Sequence, residues 1–127
     1  MKLAISLALY ILSVMNPLQT INYTELETAI QKMDANKIVA CGTDKILVSI
    51  NNKESIYSKS QAAIVLKDFF TKKPVNTFKI TVKPQPKGNV AFVAGEYTSG
   101  SSKFRISFQY KLDNEQYKID KVTIAEI

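Results

Sequence analysis

Lys103-Phe104-Arg105-Ile106-Ser107-Phe108-Gln109-Tyr110-Lys111-Leu112 alternates polar and apolar side chains without a break. Successive side chains of a strand point to opposite faces, so Phe104, Ile106, Phe108, Tyr110 and Leu112 line a dry face and Lys103 to Lys111 a wet one. A sheet that is dry on one side needs a covering layer. Upstream, Gly100–Ser101 is a tight-turn pair, and folding about it sets Tyr97 opposite Phe104, Gly95 opposite Ile106, Val93 opposite Phe108 and Ala91 opposite Tyr110. Downstream, a turn at Asp113–Asn114 sets Tyr117 opposite Tyr110 and Ile119 opposite Phe108. Val122 and Ile124 then fall out of phase, which requires a bulge near Asp120–Lys121. The strands expected are therefore Val75–Lys83, Val90–Thr98, Lys103–Leu112 and Gln116–Glu126, separated by Pro84–Asn89, Ser99–Ser102 and Asp113–Glu115.

The covering layer lies earlier in the chain. Ser58 and Gln61 form a capping box, and Ala62, Leu66, Phe69 and Phe70 make the apolar stripe of a helix that Pro74 stops. Leu26, Ala29, Ile30 and Met33 recur at helical spacing, with Thr24 and Glu27 as a second capping box, which predicts a helix near 23–33. Asp34 caps a shorter helix carrying Ile38 and Val39 and ended by Gly42. Between these helices Asp44–Asn51 reads as a strand, turning at Asn51–Asn52 into Glu54–Tyr57. The expected fold is α+β, a bent antiparallel sheet with helices packed on one face, in a single domain over 20–127.

Lys2 followed by the apolar run Leu3–Met15 has the form of a secretory leader and is too short to span a bilayer comfortably, which takes about 20 residues. Removal after Gln19 is expected, which makes the protein periplasmic or extracellular with no stable membrane span left. Ile38-Val39-Ala40-Cys41 fits a lipidation pattern, but an amphipathic helix and not a leader precedes it.

Seventeen Lys and Arg against eleven Asp and Glu give a formal charge of +6. All the cations but Arg105 are Lys, and neither guanidinium forks nor interleaved aromatics accompany the cluster Lys67, Lys72, Lys73, Lys79, Lys83 and Lys87, so no nucleic-acid partner is expected. The chain has no His, which leaves carboxylates, Tyr, Lys and Cys41 for any chemistry. Cys41 has no disulfide partner and reads as a small buried hydrophobe. Asp113, Asn114 and Glu115 are explained by a turn and offer too few oxygens for calcium. No metal or cofactor is expected.

The column Ala91, Val93 and Gly95 faces Phe108, Tyr110 and Tyr117, which leaves either a hollow beneath the helices or a close approach of a helix. Tyr57, Ala91, Val93, Gly95, Tyr97, Phe108, Tyr110 and Tyr117 are the expected pocket residues. A core filled by the same side chains is the alternative. Glu96, Asp120, Lys111 and Lys118 fall on the wet face, so these strands give the hollow no general base and no catalytic residue is expected. The outer face shows only Phe92 and Ala94 as apolar residues, which fits a monomer or a weak homodimer.

Tyr57-Ser58-Lys59-Ser60-Gln61-Ala62, Leu66-Lys67-Asp68-Phe69-Phe70, Lys73-Pro74, Phe78-Lys79-Ile80, Gly95-Glu96-Tyr97 and Phe104-Arg105-Ile106 together resemble an uncharacterised exported family of Gram-negative bacteria, a domain of unknown function. That family is similar to the nuclear-transport-factor-2-like superfamily, whose cone-shaped, cystatin-like α+β fold also carries ketosteroid isomerase and scytalone dehydratase. The resemblance runs from Thr24 to Ile127 and implies a cone-like sheet with the N-terminal helices on its concave face. The superfamily's enzymes set an acid or His base beside Tyr or Asp donors, and this chain departs from that pattern.

Three readings of function follow. The first is a non-catalytic exported module that binds a small apolar or amphipathic molecule in the tyrosine-rimmed hollow. The second is a lyase or isomerase, for which Asp44, Glu54 and Asp68 are the carboxylates left to serve the cone. The third is an adaptor that binds acidic partners through the Lys-rich surface.

Overall fold

A computed structural model describes residues 21–83 and 87–127. The leader expected over 1–19 and residues 84–86 of the loop after the third strand lie outside the described residues. The elements run α1 (Tyr23–Gln31), α2 (Ala35–Ala40), β1 (Gly42–Ile50), β2 (Lys53–Ser58), α3 (Lys59–Lys72), β3 (Thr77–Val82), β4 (Val90–Ser99), β5 (Ser102–Asp113) and β6 (Gln116–Glu126). They match the expected order of helices, hairpin, helix and meander.

The six strands form one sheet in the order β2-β1-β6-β5-β4-β3. The β4–β5 register is the one required by a turn at Gly100–Ser101, with Tyr97 opposite Phe104, Gly95 opposite Ile106, Val93 opposite Phe108 and Ala91 opposite Tyr110. Between β5 and β6 the turn is Asn114–Glu115, both at positive φ (50° and 65°), as a twist-matched two-residue hairpin demands. Tyr117 therefore stands opposite Leu112 and Ile119 opposite Tyr110, two places from the expected pairing, with the same face inward. The expected bulge is present, since Asp120 is the extra residue between the pairs Ile119–Tyr110 and Lys121–Gln109. One pairing is parallel: β1 runs alongside β6, joining the N-terminal hairpin to the meander.

Each helix starts where a side chain can satisfy its free amides. Ser58 Oγ accepts from the Gln61 amide at 3.3 Å while Gln61 Oε1 accepts from the Ser58 amide at 3.2 Å, completing the α3 capping box. Asp34 Oδ1 accepts from the Lys37 amide at 3.1 Å and opens α2. For α1 the cap is Asn22, which accepts from the Glu25 amide at 3.0 Å, so the expected Thr24–Glu27 box does not form. Glu27 is used elsewhere: its Oε2 accepts from the Ile80 amide at 3.3 Å, and Gln31 Nε2 donates to the Phe78 carbonyl at 3.0 Å. These two bonds fasten α1 over the exposed edge of β3, where an unpaired strand would invite association. Gly42 is the first residue of β1 and not a left-handed helix stop; an added Cβ there would lie 2.5 Å from Ile46 Cδ1 and 3.1 Å from the carbonyl oxygens of Val39 and Ile119, so close packing favours the glycine.

One continuous core fills the space between the helices and the dry face of the sheet, with Ile30, Ile46, Leu66, Val93, Phe104, Phe108, Ile119 and Val122 almost wholly buried. On the wet face Val82, Val90 and Phe92 are exposed, and so is Ile56 of β2, which stands opposite Leu47 on the same face, so this side is more apolar than the expected Phe92 and Ala94. Among the described residues no helix is long and apolar enough to cross a membrane.

Candidate functional site

The expected pocket residues divide into two groups along the sheet. At one end Tyr97 is fully buried among rings, 5.5 Å from Phe69, 6.2 Å from Phe70, 6.4 Å from Phe78 and 6.1 Å from Phe104 between centroids. Its hydroxyl donates to the Lys73 carbonyl at the C-terminus of α3. Burial pushes this phenol up to about 12. Gly95 is small because a neighbour needs its space: an added Cβ would lie 2.6 Å from Phe78 Cζ and 2.6 Å from the Lys79 carbonyl oxygen. The small-residue column thus receives a ring from the adjacent strand, and the space next to Gly95 is filled rather than hollow. Ala91, Val93 and Phe108 are buried in the same core. Tyr57, half-buried on β2 opposite Ile46, packs against the core from the far edge.

At the other end the layers part. A cleft of about 180 Å³ opens between α1, α2 and the β5–β6 hairpin. Tyr110 and Tyr117 form its sheet side, α1 contributes Glu25, Leu26 and Ala29, and Lys37, Ile38 and Cys41 close it from the α2 side, with Ile21 and Asn22 at the entrance. Of the expected pocket residues Tyr110 and Tyr117 line this cleft. The helix residues were not legible as lining from the sequence, because Leu26, Ala29 and Ile38 read equally well as core positions.

The two tyrosines differ in one respect. The Tyr117 hydroxyl donates to the Gly88 carbonyl at 2.6 Å, so it is committed to the β3–β4 loop. Tyr110 is only 4% exposed, and its hydroxyl meets no hydrogen-bond partner among the described residues. No side-chain oxygen or nitrogen among them is both sealed from solvent and unpaired, so the Tyr110 oxygen must reach the cleft. Burial, reinforced by the neighbouring Cys41 and Tyr23, holds its phenol far above the ordinary range and therefore protonated. It is a permanent donor facing an apolar space.

At the rim Glu25 and Lys37 stand 3.9 Å apart, both about half exposed, and their charges offset each other there. Cys41 is exposed, not the buried hydrophobe expected, because it is the C-cap residue of α2 at the cleft edge. Its thiol donates to the Lys37 carbonyl at 3.7 Å. Partial burial and then Glu25 push the thiol up, which keeps it from being a reactive thiolate.

Asp44, Glu54 and Asp68, the acids available to the isomerase-type reading, are all exposed, and Asp68 pairs with Lys72 at 3.0 Å. Glu96 is also exposed, and Asp120 lies on the wet face, accepting from Gln109 Nε2 at 3.2 Å. Asp113, the last residue of β5, pairs with Lys118 at 3.4 Å. Among the described residues no three Cys, Asp or Glu side chains cluster as metal ligands would.

Comparison with known proteins places this architecture. The family model described as "Domain of unknown function (DUF4783)" matches residues 23–125. A DUF4783 family protein from Bacteroides uniformis is similar in structure with a TM-score of 0.78 at 19% identity, covering 84% of this chain and 98% of that one. Another from Bacteroides ovatus has a TM-score of 0.76 at 22% identity, covering 81% of this chain and 93% of that one. An NTF2-like protein of unknown function from Pseudomonas putida has a TM-score of 0.62 at 13% identity, covering 80% and 79%. At such identities the likeness shows the fold alone, which is NTF2-like and cystatin-like. No curated protein matches the chain.

Proposed function

The chain belongs to the DUF4783 family, and from that premise we propose that it is an exported, non-catalytic binding module that takes a small apolar or amphipathic molecule into the cleft at Tyr110. The observation that carries this reading is the pairing of an apolar cleft, walled by Leu26, Ala29 and Ile38, with a buried phenol whose hydroxyl has no hydrogen-bond partner among the described residues. Binding sites have this composition, a mostly apolar lining with few placed polar groups. Catalysis of the superfamily's kind needs a base within reach of the bound molecule. Glu25 is the acid nearest this cleft, and it sits at the rim beside Lys37. Export is supported by Lys2 and the apolar run Leu3–Met15.

The test is native mass spectrometry of the protein expressed from its full-length sequence and recovered from a bacterial periplasm, followed by amide chemical-shift mapping with whatever co-purifies. A retained small molecule whose addition perturbs Leu26, Ala29, Ile38 and Tyr110 supports the reading. Recovery from the cytoplasm alone would remove the export claim. Shifts centred away from the cleft would remove the binding claim.

A further inference from the structure

The cleft has a chemical asymmetry that narrows what it would hold. Its walls are apolar, its rim carries one offset charge pair, and its floor offers a single hydroxyl. The Tyr110 oxygen is carried by a side chain 96% buried, and no described residue accepts its proton or donates to it. Its neighbour Tyr117 is already bonded to Gly88 and Cys41 to Lys37, so neither is left over to serve Tyr110. A phenol in such a place has its donor turned to the cleft and uncommitted to the described protein, so a ligand oxygen can take that hydrogen bond in place of solvent.

We propose that the cleft binds a compact neutral molecule whose carbonyl oxygen accepts the Tyr110 hydroxyl proton while its hydrocarbon part lies against Leu26, Ala29 and Ile38. This rests on the binding reading above. Size follows from volume, since an apolar cavity of about 150 Å³ takes benzene. About 180 Å³ then suits a ring or short chain with a carbonyl attached. Charge follows from desolvation. A carboxylate would lose its water to gain one phenolic donor, with Lys37 already beside Glu25, whereas a ketone or ester oxygen needs only the one donor.

The experiment uses the full-length protein and three probes: acetophenone and α-methylstyrene, of the same shape but with carbonyl oxygen against methylene, and benzoate as the charged counterpart. Dissociation constants come from amide chemical-shift titrations of wild type and Tyr110→Phe. One hydrogen bond is worth roughly a two- to tenfold change in affinity. Tyr110→Phe should therefore weaken acetophenone about fivefold and leave α-methylstyrene within about twofold, with shifts at Ala29 and Ile38 in every case. In wild type the carbonyl stretch of bound acetophenone should move to lower frequency, a readout that does not depend on the variant folding. If both probes bind the cleft and Tyr110→Phe affects them equally, or the stretch does not move, the hydroxyl inference is overturned while the binding reading stands. Benzoate binding more tightly than acetophenone overturns the neutral class. If none of the three probes perturbs the cleft, both the inference and the reading beneath it fail.

Discussion

Gly95→Ala is expected to destabilise the protein even though alanine is the better strand residue. Gly95 has ordinary extended backbone, so relief of glycine's conformational entropy alone would favour alanine by about 0.5–1 kcal/mol. Against this stand two contacts no Cβ tolerates, 2.6 Å to Phe78 Cζ and 2.6 Å to the Lys79 carbonyl oxygen. Phe78 is 3% exposed and wedged against Tyr97, and Lys79 belongs to the β3 backbone paired with β4, so neither has room to retreat. Overpacking of this kind costs about 1–3 kcal/mol and more where backbone is involved, which leaves a net loss of about 2 kcal/mol. For a domain of this size that is a fall in Tm of roughly 6–10 °C by scanning calorimetry. A Tm equal to or above wild type would mean that open space adjoins Gly95, and the account of a filled column would be wrong.

The two buried tyrosines should respond oppositely to loss of their hydroxyls. Tyr97→Phe breaks the bond to the Lys73 carbonyl and should cost about 1 kcal/mol, whereas Tyr110→Phe removes a hydroxyl with no partner among the described residues and should leave the urea midpoint unchanged or slightly raised. Ser58→Ala removes half of the α3 capping box and should cost about 1 kcal/mol in the same assay. Because burial raises the Tyr97 phenol from 10.0 to about 12, the unfolded chain loses that proton first. Its contribution to stability is thus complete below pH 10 and declines as pH rises towards 12. Denaturation midpoints of wild type should fall more steeply than those of Tyr97→Phe across that window, and parallel slopes would contradict the assignment.

The alternation from Lys103 to Leu112 is enough to phase the sheet, because a one-residue slip would turn all five apolar side chains to water. Gly100 marks the β4–β5 turn for a physical reason, its φ of 56°, which other residues rarely adopt. The β5–β6 turn was harder to read, since Asp113–Asn114 is as good a turn pair as the Asn114–Glu115 actually used, and a glutamate at positive φ has no sequence signature. Glu27 misled for a similar reason: a capping box and a long-range bond to Ile80 look identical along the chain. The parallel pairing of β1 with β6 joins residues far apart in sequence, and no local pattern encodes it. The site was legible only on its sheet side. Tyr110 and Tyr117 follow from strand phase, but the filling of the Gly95 column by Phe78 and the opening beneath α1 depend on how neighbouring elements splay.

Xenon is small, apolar and without hydrogen bonds, and it occupies apolar cavities. Crystals of the full-length protein pressurised with xenon should show a site among Leu26, Ala29, Ile38 and Tyr110, and no density between Gly95 and the ring of Phe78. Xenon beside Gly95 with the Tyr110 cleft empty would contradict the account at its base.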